Sequence, residues 1–252
     1  MPASGRRPGG HLQVRGLTKW FYGLRALNDV TFECRPGELV GLIGPNGSGK
    51  TTAIDCLSGF LTPDGLEATL DGESITGKRP SQLAGRGLVR TFQQVRIFPT
   101  LSVRANIQMG GWAGLSRSGR GRGDHWDDVV RRTEELIDQF NLRRVADGPA
   151  GHLSYGQRKL VEFAAGVQCR PRVILLDEPV AAINPTLARV IHDHIIDLAR
   201  SGVSVLLVEH NMELVTGICQ RLVVLDHGEK IADGPPEEVM ALHEVQEAYF
   251  GR

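Results

Sequence analysis

Short apolar blocks recur along the 252-residue chain, and their spacing separates strands from helices. Near the N-terminus Leu12–Arg15, Val30–Cys34 and Glu38–Ile43 have the short, apolar-rich character of strands. The last of these runs straight into a glycine-rich turn, GPNGSGKTT, and a helix is predicted over Lys50–Ser58. Glu67–Leu70 and Leu88–Thr91 read as two further strands. From about Phe98 to Gln157 the period changes. Val129, Thr133, Leu136, Ile137 and Phe140 fall at helical spacing, which predicts a mostly helical stretch. After Arg170 the strand runs Val173–Leu176, Val203–Val208 and Leu222–Leu225 follow, separated by a helix over Thr186–Arg200. That helix carries Leu187, Val190, Ile191, Ile195 and Leu198 on one face. Strands that are apolar throughout and alternate with helices predict a mainly parallel sheet covered on both sides.

Composition narrows the picture. The longest apolar runs span four residues, whereas a bilayer-spanning helix needs about 20. Lys and Arg together number 29, as do Asp and Glu, so the formal charge is zero and a nucleic-acid partner is not expected. The first ten residues, MPASGRRPGG, are small and basic, lack the apolar stretch of a secretory leader, and are expected to form a disordered lead-in. Cys34, Cys56, Cys169 and Cys219 are widely separated and form no CxxC pair. They are expected as small buried hydrophobes rather than metal ligands or disulfides, with a cytosolic location as the default. Residues 114–125, GLSRSGRGRGDH, hold Arg117, Arg120 and Arg122 among glycines. A solvated loop between two helices is expected there; a phosphate- or lipid-binding arm is the alternative.

Gly44, Pro45, Asn46, Gly47, Ser48, Gly49, Lys50 and Thr51 satisfy GxxxxGK[ST], followed by Thr52. Such glycines let successive N–H groups face one anion, and the following helix adds its positive end. In this pattern Lys50 reaches the β- and γ-phosphates and the Thr51 hydroxyl ligates Mg²⁺. A phosphate loop needs a carboxylate for the metal at a neighbouring strand end, and Val173-Ile174-Leu175-Leu176-Asp177-Glu178 supplies it. Asp177 is positioned for Mg²⁺ and Glu178 for polarising the water that attacks the γ-phosphate.

Leu153-Ser154-Tyr155-Gly156-Gln157 lies with its serine 23 residues ahead of Asp177. This segment resembles the LSGGQ-type signature of ABC-transporter ATPases. Other elements resemble that family in the same order along residues 11–250: Phe92-Gln93 its Q-loop, Ala182-Ile183-Asn184-Pro185 its D-loop, and His210 in Val208-Glu209-His210 its switch histidine. The resemblance implies an α/β P-loop NTPase (RecA-like) with a mainly parallel sheet, an N-terminal antiparallel β part and an inserted α-helical subdomain. It implies a division into a lead-in 1–10, an ATP-binding core 11–93 plus 159–234, a helical subdomain 94–158 and a C-terminal helical tail 235–252. It further implies that Phe21 stacks on adenine, that Gln93 senses Mg²⁺ and the attacking water, and that His210 contacts the γ-phosphate. Ser154 and Gly156 would complete the ATP site of a second subunit, so ATP with Mg²⁺ would be sandwiched between two chains.

Arg90-Thr91-Phe92-Gln93, Phe98-Pro99-Thr100-Leu101, Val208-Glu209-His210-Asn211-Met212 and Glu247-Ala248-Tyr249-Phe250-Gly251 resemble the ATP-binding subunits of branched-chain amino acid importers. Urea and amide importers share several of these features. The implied partners are an identical or related ATP-binding subunit, transmembrane permease subunits and, indirectly, an external solute-binding protein. The implied place is the cytoplasmic face of the inner membrane. A separate-chain exporter, a soluble cassette of translation or DNA repair, and a nonenzymatic scaffold are the competing classes. Intact Lys50, Asp177 and Glu178 argue against the scaffold. Ala182 and Ile183 depart from the Gly-Leu usual in the D-loop, and residues 160–168 lack the arginine common after the signature.

Overall fold

The computed structural model describes residues 9–91, 94–114 and 122–251. Two sheets organise the chain. The first is antiparallel, in the order β2 (Leu24–Cys34), β1 (Leu12–Phe21), β4 (Gly65–Leu70), β5 (Glu73–Ser74). The second has six strands in the order β10 (Glu229–Gly234), β9 (Arg221–Asp226), β3 (Leu39–Ile43), β8 (Ser204–Val208), β7 (Val173–Asp177), β6 (Leu88–Arg90). Its pairs β9–β3, β3–β8, β8–β7 and β7–β6 are parallel, and β10 is antiparallel to β9. The expected α/β architecture with an N-terminal antiparallel part is therefore present.

The apolar runs are explained by burial on both faces. Val173 and Leu175 of β7 point into a core shared with the antiparallel sheet and helix α1 (Lys50–Leu57), while Ile174 and Leu176 point into a second core beneath the helices. β8 and β9 divide in the same way. The second core is closed by α3 (Val103–Gly110), α4 (Arg122–Gln139), α5 (Tyr155–Gln168) and α6 (Pro185–Arg200). The five residues read at helical spacing, Val129 to Phe140, are all buried, and Phe140 packs edge-on to Phe163 with ring centroids 5.8 Å apart. Between β5 and β6 lies α2 (Pro80–Arg86), and α7 (Met212–Ile218), α8 (Pro236–Ala241) and α9 (His243–Phe250) complete the chain.

Two expectations need correction. Gly9 and Gly10 are buried rather than loose: the Gly10 N–H donates to the Arg172 carbonyl at 3.0 Å and its carbonyl accepts the Ser204 hydroxyl at 2.6 Å. Residues 1–8 of the expected lead-in lie outside the described residues. Helix α4 already begins at Arg122, so residues 122–125 extend a helix and only 115–121 of the glycine-arginine segment lie outside the described residues. The stretch from Phe98 to Gln157 is mostly helical, as expected: it holds α3, α4 and the start of α5, with short 3₁₀ turns at Gly111–Gly114, Arg143–Val145 and Ala150–His152. Of the cysteines, Cys34, Cys56 and Cys219 are buried and Cys169 is half-buried, and none of the four is in a disulfide.

Candidate functional site

The C-terminal ends of three adjacent strands meet at one edge of the parallel sheet. β3 ends at Ile43 and runs into Gly44, β7 ends at Asp177 with Glu178 next, and β8 ends at Val208 ahead of Glu209 and His210. This is the edge at which open α/β sheets bind ligands.

The turn after β3 is possible only because of its glycines. At Gly44, with φ of 150°, a Cβ would lie 2.0 Å from the Leu225 carbonyl oxygen. Gly49 takes φ of 103° and starts α1, which has no side-chain cap, so its first amides are suited to an anion. Ser48 and Lys50 are buried, Asn46, Gly47 and Thr51 are exposed, and Thr52 is half-buried. The Lys50 ammonium donates to the carbonyls of Gly44 at 2.8 Å and Pro45 at 2.9 Å. Burial lowers its pKa, opposed by the carboxylates of Glu178 and Asp177.

Asp177 is only 2% exposed. Its Oδ2 accepts from the Arg90 guanidinium at 3.0 Å, and the same guanidinium reaches Asp55 of α1 and the Ser58 hydroxyl at 3.0 Å. Among the described residues its other oxygen, Oδ1, has no hydrogen-bond partner. Burial raises the Asp177 pKa, with Arg90 pulling the other way. A buried carboxylate oxygen without a partner calls for a cation or water, and oxygen donors of this kind, with the Thr51 hydroxyl, suit Mg²⁺. Gln93 lies outside the described residues.

Glu178 has a left-handed backbone, φ of 46°, anchored by its N–H donating to the Val208 carbonyl at 2.9 Å. Its Oε1 is paired with His210 Nε2. The structure thus brings together the two residues read as water-polarising and γ-phosphate-contacting groups. Ser154 caps α5 through a reciprocal box with Gln157, its Oγ accepting the Gln157 N–H at 3.3 Å. Gly156, at the close approach of α5 and α6, would place a Cβ 2.3 Å from Leu187 Cδ2. Phe21 is exposed at the end of β1, ahead of a turn at Tyr22 and Gly23. Asn184 caps α6 by accepting the Leu187 N–H at 2.9 Å.

Sequence reasoning missed four residues around this edge. Arg90 holds Asp177, and buried Lys159 of α5 donates to the Glu178 carbonyl at 3.1 Å. Buried Glu209 accepts the His210 N–H at 3.3 Å, and burial raises its pKa. Burial pushes the Tyr249 phenol of α9 up to about 12, with a hydrogen bond from the Gly44 backbone opposing it. The available signals were a charged residue inside an apolar strand for Arg90 and one on the apolar side of a helix for Lys159.

A family model described as ABC transporter matches residues 27–181, which include the phosphate loop, the Ser154 segment and both strand-end carboxylates. The chain belongs to the ABC transporter family. This ATP-binding cassette is 37% identical over 249 residues to the high-affinity branched-chain amino acid transport ATP-binding protein BraF of Pseudomonas aeruginosa, across 95% of this chain and 97% of that protein. It is 35% identical, with the same coverage, to the corresponding protein LivG of Escherichia coli K12. Among solved structures, a nucleotide-free ATP-binding cassette from an ABC transporter superposes with a TM-score of 0.84 at 30% identity, covering 96% of this chain and all of the other. A cassette in its ADP conformation superposes at 0.82 with 29% identity, over 96% and 99% of the two chains. Among the described residues of the cassette no helix is long and apolar enough to cross a membrane.

Proposed function

We propose that this cassette is the ATP-hydrolysing subunit of an amino acid importer, with branched-chain amino acids as its solutes. The observation that carries the reading is the meeting of Lys50, Asp177, Glu178 and His210 at neighbouring strand ends. The near full-length similarity to ATP-binding proteins of branched-chain amino acid transport supports the choice of solute.

In this reading the ATP phosphates lie on the amides of residues 44–49 and the start of α1, with Lys50 on the β- and γ-phosphates and Phe21 against the adenine. Thr51 and Asp177 Oδ1, with Gln93, would hold Mg²⁺, which when bound neutralises charge on those phosphates. Glu178 orients the attacking water and takes its proton as the water oxygen bonds to the γ-phosphorus. The bond to the bridging oxygen breaks and ADP keeps that electron pair. His210 fixes the direction of the Glu178 carboxylate and touches the γ-phosphate.

Ser154 and Gly156 serve the ATP of a second cassette, identical or related. Exposure of Ser154 supports this, because it presents the positive N-terminal end of α5 at the surface. We assign 11–93 plus 159–234 to the catalytic core, 94–158 to the helical subdomain and 235–252 to the C-terminal tail. In the helical segment Phe98 is 53% and Leu101 38% exposed, an apolar pair fit to meet a cytoplasmic helix of a permease. The cassette then works peripherally at the cytoplasmic face of the inner membrane, its permease fed by an external solute-binding protein.

Uptake tests the solute. Deleting the gene should reduce entry of leucine, isoleucine or valine at low external concentration. Unchanged uptake of all three with reduced urea or amide uptake would overturn the solute, and unchanged uptake of every solute would overturn the importer.

A further inference from the structure

Lys159 lies five residues beyond Ser154 on α5 and is 3% exposed. Lysine is almost never this buried unless its ammonium is partnered. Its Nζ donates to the main-chain carbonyl of Glu178 at 3.1 Å. Burial lowers its pKa, while the carboxylates of Glu162, Glu209, Asp177 and Glu178 favour the charged form.

The acceptor is unusual in its backbone. Glu178 sits in the left-handed region with φ of 46°, which is strained for a residue bearing a Cβ and persists only where surroundings impose it. On one side the Glu178 N–H donates to Val208 of β8 at 2.9 Å. On the other its carbonyl accepts from the Ala181 N–H at 3.2 Å and from Lys159. The first two bonds come from the strand ends and the adjoining loop. The third comes from the helix that opens with Ser154. Lys159 therefore connects α5 to the main chain of the residue whose carboxylate is paired with His210.

We propose that Lys159 is a positioning residue for hydrolysis: it holds the left-handed turn of Glu178 and ties the seating of the Ser154 helix to the carboxylate that handles water. A site completed by the partner's signature segment then gains a link within each chain, from the segment that reads the partner's nucleotide to the chain's own water-polarising group. The inference rests on the assignment of Glu178 made above. A small cavity is lined by Thr91, Lys159, Glu162, Phe163, Pro179 and Ile191.

The test is steady-state ATP hydrolysis by the complex recovered from membranes, for wild type, K159M, K159R and E178Q, together with ATP binding. K159M should lower kcat at least about tenfold while KM and ATP affinity stay within about threefold, and K159R should restore most of the rate. K159Q, a shorter neutral donor, stands in if K159M does not fold, and a loss in the same direction is expected. A K159M or K159Q kcat within about twofold of wild type overturns the proposal, as does equal damage in K159R. If E178Q hydrolyses ATP normally, the assignment of Glu178 falls and this inference with it. If E178Q is inactive while K159M and K159Q are normal, only the Lys159 link falls.

Discussion

The two oxygens of Asp177 have different environments. Oδ2 is held by Arg90, whose side chain is 7% exposed and whose guanidinium also grips Asp55 and Ser58, so one strand-end carboxylate is wired to α1 behind the phosphate loop. Oδ1 is left over. A fixed carboxylate with one oxygen engaged and one available is what a metal ligand needs, and Arg90 supplies the fixing. Removing one member of a buried ion pair leaves an uncompensated charge at a cost of about 3 kcal/mol. R90M should therefore lower the stability of the chain by roughly that amount in urea unfolding, with R90K losing less. A midpoint for R90M equal to wild type would show that the pair does not hold Asp177. At this scale Lys50, Asp177, Glu178 and His210 were legible because each follows an apolar strand in a recognisable order. Arg90 was not, since its partners are 35 and 87 residues away in sequence and only the folded sheet brings them near.

At the scale of elements, legibility follows burial. β7, β8 and β9 are buried on both faces, so their apolar runs announce them. β1 and β2 extend well beyond the runs Leu12–Arg15 and Val30–Cys34, because in their outer halves the buried Leu17 and Leu27 stand isolated among half-buried and exposed positions. β10 is mostly polar and exists by pairing with β9, and α2 and α7 have seven residues each, too short to show a helical period. Helix α5 opens on a capping box formed by Ser154 and Gln157. An arginine at Ser154 removes that cap, worth about 1 kcal/mol, and sets a bulky cation where the partner's phosphate is proposed to sit. S154R should keep ATP affinity in the isolated chain and lose ATP-driven dimerisation, as read by equilibrium binding and by sedimentation. Loss of nucleotide affinity in the monomeric variant would contradict the two-chain site. The D-loop departure has a local cost: Ala182 takes φ of 59°, a conformation in which glycine would be unstrained.

Across the whole molecule, one parallel sheet sets every proposed catalytic group. Strand order places β3, β8 and β7 side by side, so the phosphate loop, His210 and the Asp177-Glu178 pair converge without any long loop having to be ordered. The helices on the far side carry Ser154 at one end and, through Lys159, reach back to Glu178. In the proposed reaction this edge hydrolyses ATP with Glu178 handling the water. The direct measurement is ATP turnover by the membrane-derived complex carrying E178Q, set beside its affinity for ATP. The substitution keeps shape and removes the charge that polarises water, so turnover should fall by at least about a hundredfold while ATP binding persists. Turnover within about threefold of wild type would show that Glu178 does not handle the water.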